Sequence, residues 1–230
     1  MKKRLFGLAL SSLLMACPAT PAPVTEEEQS GSLLGVVSGY SGGAGTVRVF
    51  ASGSGTTQPL ATGTIEANGT FSVLLPNGTA MAPYVNAVTC ASIGSGTAPE
   101  DGCVIEGTGK IAGVEVAVYN SATPPVLLGY LQLKTPPPLP AVSRTVVHYF
   151  ADAPLKIQAK KTSGSPVTTV DNYIQSFRKG WNLGLITVSS IGSGFNYDHI
   201  ITGTYPREVR WALVASPTAV SAPHVEKFKK

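Results

Sequence analysis

Short runs of β-branched and aromatic residues, each cut off by glycine, proline, asparagine or serine, recur along almost the whole chain. A helix needs several uninterrupted turns of a 3.6-residue pattern to bury a face, and runs this short cannot supply them. A strand needs only a few residues with alternate side chains turned inward. With 25 glycines and 18 prolines in 230 residues, the pattern predicts an all-β fold. About a dozen close-spaced strands suggest a β-sandwich, either one elongated body or two small lobes. The hydrophobic share of 43% is enough for a sizeable core, and the charged share of 13% is too low for a disordered, solvated tail.

The strand candidates are Leu33–Tyr40, Thr46–Ala51, Leu60–Ile65, Thr70–Leu75, Tyr84–Cys90, Val114–Tyr119 and Val126–Lys134. Asn68-Gly69 supplies a tight turn between the third and fourth. Thr135-Pro136-Pro137-Pro138-Leu139-Pro140 cannot join a central ladder and marks a boundary between lobes, or a long crossover. Beyond it, Arg144–Ala151, Leu155–Lys161, Trp181–Ser189, His199–Thr204 and Val209–Ala215 continue the series. Val170, Tyr173, Ile174 and Phe177 also fit a helical face with Gly180 as its C-cap. The rival reading is a strand that turns at Arg178-Lys179-Gly180 into Trp181–Ser189 as a bulged hairpin, and the all-β surroundings favour it.

The N-terminus has a different character. Met1-Lys2-Lys3-Arg4 precedes an apolar run from Leu5 to Ala16, the layout of a secretory signal. Leu14-Met15-Ala16-Cys17 resembles the lipobox of bacterial lipoproteins, with Met15 where that family has a smaller residue. The resemblance implies cleavage before Cys17, acylation of that cysteine (palmitate among the chains) and a stable membrane anchor. The segment from Cys17 through Pro18-Ala19-Thr20-Pro21 to Glu26-Glu27-Glu28 reads as an extended tether. Pro18, standing where an aspartate would retain such a protein in the inner membrane, favours the outer membrane of a two-membrane cell. The expected division is therefore 1–16 signal, 17–31 tether, 32–134 N-terminal lobe, 135–143 Pro-rich linker, 144–216 C-terminal lobe and 217–230 flexible basic tail.

Removing the signal takes three cations from a formal net charge of +4. The remaining positive charge lies beyond residue 140, where eleven basic face five acidic side chains. Such a half could lean on anionic headgroups or cell-wall polymers, although scattered solvated charges are the favoured reading. An exported protein without a basic-aromatic stripe gives no reason to expect nucleic acid. Cys90 and Cys103, the two cysteines besides Cys17, suggest one disulfide in an oxidising compartment. Closing so short a loop stabilises by roughly 2–3 kcal/mol.

One stretch carries a second resemblance. Gly35-Val36-Val37-Ser38-Gly39, then Val47-Arg48-Val49, then Asn68-Gly69-Thr70-Phe71-Ser72-Val73-Leu74-Leu75 resembles the carboxypeptidase-regulatory-like or transthyretin-like β-sandwich. That likeness implies a small seven-stranded accessory sandwich with no catalytic residues. The second half resembles only uncharacterised bacterial lipoproteins with a Gly-Trp-Asn turn, here Gly180-Trp181-Asn182.

Residues able to carry chemistry are sparse. Gly39-Tyr40-Ser41-Gly42-Gly43 has the form of a nucleophile elbow, but a strand rather than a helix follows it. Asp152 and His199 would have to complete that triad. His148 with Asp152, or His199 with Asp198, offers two ligands where a metal needs three or four. Trp181, Trp211 and Tyr205 could stack on a sugar ring, or fill a core. Together these readings point to a non-catalytic envelope lipoprotein without a cofactor, presenting its sandwich to an envelope protein or wall polymer. A glycan- or peptidoglycan-binding module is the alternative, and a serine hydrolase a remote one.

Overall fold

The computed structural model describes residues 31–53, 58–93, 102–136, 142–164 and 168–215. Fourteen strands join in one continuous hydrogen-bonded sheet. The fold is all-β and sandwich-like, as the punctuated sequence predicts. In chain order the strands are β1 (Ser32–Val36), β2 (Gly45–Ala51), β3 (Ala61–Ile65), β4 (Thr70–Leu74), β5 (Asn86–Ala87), β6 (Val104–Gly107) and β7 (Lys110–Asn120). They continue with β8 (Leu127–Lys134), β9 (Val142–Ala151), β10 (Leu155–Ser163), β11 (Thr169–Phe177), β12 (Gly180–Ile191), β13 (Gly194–Thr202) and β14 (Arg210–Val214). A one-turn helix, α1 (Gly78–Met81), and a 3-10 turn at Cys90–Ser92 punctuate them.

The sheet closes on itself twice. Its first turn runs β1-β4-β3-β2-β7-β8. Strand β14 pairs with β8, and Trp211 on β14 bridges back to Val37 just after β1. The Ser38 N–H donates to the Trp211 carbonyl at 2.9 Å. Alternation does the rest: Val114, Val116 and Val118 on β7 meet Phe71, Val73 and Val49 in the first core.

The second turn runs β9-β12-β13-β11-β10-β6. Strand β6 leads into β7, whose first residues pair with the end of β9, Ile111 opposite Ala151. Leu155, Ile157 and Ala159 alternate with exposed Lys156, Gln158 and Lys160 along β10, so one face of that strand lines the second core with Tyr173 and Phe177.

Strand β9 is the common wall. Val146 and Phe150 belong to the first core, Tyr149 and Ala151 to the second. That is why Val146-Val147-His148-Tyr149-Phe150-Ala151 reads as a continuous apolar run: both faces are covered. Its neighbour β12 supports it, and a Cβ at Gly184 would collide with the Tyr149 ring. Glycine there leaves room for the Tyr149 ring of the second core.

Two expectations need amendment. Val170–Phe177 lies in a strand, β11, the reading its surroundings favour. The turn at Arg178-Lys179-Gly180 does not make a hairpin, because β13 lies between β11 and β12, parallel to the first and antiparallel to the second. Gly180 does take a positive φ of 92°. The Asn182 side chain holds the turn, donating to the carbonyls of Arg178 (2.8 Å) and Gly180 (2.9 Å) and accepting from the Arg178 N–H (3.0 Å).

The Pro-rich stretch, expected as a linker, joins adjacent antiparallel strands. Leu133 faces Val146, and the Thr135 N–H donates to the Arg144 carbonyl. Strand β14, from the expected C-terminal lobe, completes the first ring, and Ile93, from the expected N-terminal lobe, is buried in the second core. The signal, Cys17, the tether up to Ser30 and the basic tail lie outside the described residues.

Candidate functional site

Chemistry-bearing side chains gather in two buried places, and exposed apolar ones on a third. The first place is the second core. Parallel pairing of β11 with β13 sets Tyr173 opposite His199. The two rings stack with centroids 4.3 Å apart and planes 12° from parallel. His199 Nε2 lies 3.2 Å from Asp171 Oδ1. A carboxylate can only accept, so Nε2 is the donor in this pair. The His199 Nδ1, the Gln175 Oε1 and the Tyr149 hydroxyl are buried without a protein partner. Lys161, 2% exposed, lies on the same inward face of β10 as Ala159.

Burial raises both phenols above the usual tyrosine range, and at Tyr173 the nearby Asp171 charge and Tyr149 add to it. They are neutral hydrogen-bonding groups across the whole physiological range. His199 is 1% exposed, so this cluster meets solvent hardly at all. Its unpartnered polar atoms are of the kind that ordered water ordinarily meets.

The second place is the rim of the first core. His148, on the face of β9 that bears Val146 and Phe150, stacks on Trp211 with planes 8° apart and centroids at 6.0 Å. Its Nε2 is 3.1 Å from the Tyr205 hydroxyl. Desolvation pulls the His148 pKa down to about 4, so the imidazole is neutral at pH 7 and its Nε2 can accept the Tyr205 proton. Trp211 in turn meets the edge of Phe71 at 5.0 Å.

The aromatic platform expected from Trp181, Trp211 and Tyr205 does not form. Trp211 is only 8% exposed. Trp181 turns its Nε1–H onto the Pro76 carbonyl at 3.0 Å and packs edge-on against Phe150. Both indoles fill the first core, the better use of large apolar rings where a closing sheet has space. Tyr205 alone stays open, 45% exposed.

The serine-hydrolase grouping does not assemble either. Ser41 sits in the exposed loop before β2. Asp152 accepts from the Lys110 N–H at 2.6 Å, and His199 takes Asp171. For the paired ligands, His148 goes to Tyr205 and Asp198 accepts from Asn172 at 2.9 Å. Among the described residues no group of three His, Cys, Asp or Glu side chains is placed to hold a metal.

Cys90 and Cys103 do form the disulfide, with Cα atoms 6.0 Å apart. It fastens the segment carrying Ile93, which is fully buried in the second core beside Val88 and Ile105.

The third place is a surface. On β1, Leu33 is buried while Leu34 and Val36 are 67% and 58% exposed. Across the register, Leu34 faces Ser72 and Ser32 faces Leu74, itself 77% exposed. Thr62 and Thr64 extend this outer face onto β3. The outward side chains of β1, β4 and β3 thus include no charge at all. The alternation of β4 made Leu74 legible as outward. The joining of these strands into one bare face required the β1–β4 pairing.

No protein-family model matches the chain, no curated protein matches its sequence, and no solved structure matches its fold.

Proposed function

We propose that this chain is a lipid-anchored, non-catalytic protein of the bacterial cell envelope that presents its β-sheet surface to a protein partner. The observation that carries the reading is the uncharged outer face of β1, β4 and β3, with Leu34, Val36 and Leu74 exposed on it. A surface of this kind is kept where something is to be bound. The face begins at Ser32, immediately after the segment read as a tether. The side chains most able to do chemistry, His148 and His199, are 6% and 1% exposed and have structural partners. The Cys90–Cys103 disulfide suits an oxidising compartment, and the Leu14–Cys17 segment supplies the export and anchoring signal.

Mass spectrometry of the full chain, recovered from the membrane fraction of a bacterial host, tests the anchor. The expected result is an acylated peptide that begins at Cys17, and transfer of the Cys17→Ala chain to the soluble fraction. An unmodified N-terminus on protein already in the soluble fraction would overturn the reading.

A further inference from the structure

The segment read as a tether joins the molecule beside a row of cations. Gly31, the residue before β1, packs against Trp181, and a Cβ there would stand 2.9 Å from the indole. Trp181 directly follows the turn Arg178-Lys179-Gly180, whose two cations are exposed. The register of β9 orders the rest. Gly180 lies opposite Ala151, and His148 meets the Tyr205 hydroxyl at 3.1 Å. Arg144 pairs with Glu208, and Thr145 lies opposite Lys134, which in turn faces Arg210 across β8 and β14. Arg207 stands between Tyr205 and Glu208 in the same loop. From Ala151 to Thr145 is six residues of strand, about 20 Å.

Positive charge outweighs negative along this row. Lys110, opposite the end of β9, joins Lys134, Arg144, Arg178, Lys179, Arg207 and Arg210. The nearby carboxylates are Glu208, paired with Arg144, Asp152, which accepts from the Lys110 N–H, and Glu115, which accepts from the Gly53 backbone. Among the described residues, Lys134, Arg178, Lys179, Arg207 and Arg210 enter no ion pair. Like charges directly opposite each other on paired strands cost stability. An anion set against Lys134 and Arg210 removes that cost.

We propose that this row docks on the anionic headgroups of the bilayer that holds the lipid anchor, so that the β9 side of the body lies against the membrane. The proposal rests on the anchored reading for the presence of a bilayer. Two observations favour a bilayer over a soluble or wall polymer. The chain that leads to Cys17 joins beside Trp181 and the Arg178-Lys179 turn. Tyr205, 45% exposed within the row, is an aromatic ring of the kind that settles at headgroup level.

The chain ahead of β1 permits the contact. Cys17 precedes Gly31 by fourteen residues, a span of at most ~50 Å when extended. An anchored chain therefore keeps the row close to the headgroups, and docking becomes an intramolecular event. Glu26-Glu27-Glu28 oppose the attraction. Exposed ion pairs of the sort they could form are worth little, which leaves the cations available.

The test uses the whole chain from residue 17 with Cys17→Ala, which has no lipid of its own, and vesicles of phosphatidylcholine with or without an equal part of phosphatidylglycerol. At low ionic strength the chain should sediment with the anionic vesicles and stay in solution beside the neutral ones, and high salt should release it. Arg178→Gln, Lys179→Gln and Arg207→Gln together should weaken binding roughly a hundredfold, about fivefold per cation. All three side chains are exposed, so an unchanged urea midpoint should show that the fold is kept. Lys156→Gln with Lys160→Gln, on the outward face of β10 away from the row, should leave binding nearly unaltered.

Equal binding to both kinds of vesicle, or equal losses in the two sets of variants, would overturn the docking. Binding to sodium polyphosphate without binding to vesicles would also overturn it and assign the row to an anionic polymer. Vesicle binding that appears only after Glu26→Gln, Glu27→Gln and Glu28→Gln would overturn it in favour of the tether as the occupant. The anchored reading fails separately, by an unmodified N-terminus in the soluble fraction, because the vesicle assay needs no acylation of Cys17.

Discussion

The two cores of this molecule share a wall and differ in chemistry. The first packs Val47, Val49, Phe71, Val116, Val118 and Trp211 together, with His148 lying on the indole at its rim. The second encloses the His199–Asp171 pair, Gln175 and the hydroxyls of Tyr149 and Tyr173 among its apolar side chains. Apolar burial is non-directional and tolerates imperfect partners, whereas a buried polar atom is stabilised only if something meets it. The first core therefore depends on closure of the ring and the second on the satisfaction of particular atoms.

Breaking the closure should have the largest effect. Trp211→Ala removes the side chain that fills the first core beside Phe71 and lies on the strand that completes the ring. A loss of roughly 3–5 kcal/mol is expected, read as a drop in the urea midpoint. A cost below about 1 kcal/mol would mean that β14 is dispensable and that the first core is closed by the other six strands.

Acid tests the rim. The native His148 pKa of about 4 lies below the unfolded value of 6.5. Between these values the unfolded chain binds a proton that the native chain does not. The contribution is fully present above pH 6.5 and is lost as the pH falls through the window toward 4. The size of that loss is on the order of 3 kcal/mol. Urea midpoints measured from pH 7 to pH 4 should fall, and His148→Gln should flatten that fall. An unchanged slope in the variant would show that His148 is not the source of the acid sensitivity.

The smallest effect sharpens the contrast. Tyr149 keeps its hydroxyl buried without a protein partner. Tyr149→Phe retains the ring against Phe177 and removes an unmet polar atom, so stability should hold or rise by about 1 kcal/mol. A loss of similar size would show that ordered water meets this hydroxyl and that the second core is wetter than its protein contacts alone suggest.

Much of the β-structure was legible because alternation and turn residues act over a few positions. Phe71 and Val73 face inward where their spacing places them, and Glu66 to Thr70 makes the turn around Gly69, whose φ is +85°. The strand over Val170–Phe177 was ambiguous because Val170, Tyr173, Ile174 and Phe177 fit a helical face, while Tyr173 and Phe177 alone also fit the alternation of a strand. Only partners on both sides, β10 and β13, decide it. The His199–Asp171 pair had no local signal, since parallel pairing brings together residues 28 apart.

By itself, the sequence determined the all-β class, most strand positions and the Cys90–Cys103 bridge. These follow from short-range rules of steric preference, turn chemistry and side-chain alternation. Tertiary structure decided that the strands on either side of the Pro-rich stretch pair with each other, that the C-terminal strand closes the N-terminal ring, and that both tryptophans line a core. Those outcomes depend on which strands become neighbours, and hydrogen-bonding edges are alike in every strand. The choice among partners is made by the burial of whole faces, a quantity that no single run of residues contains.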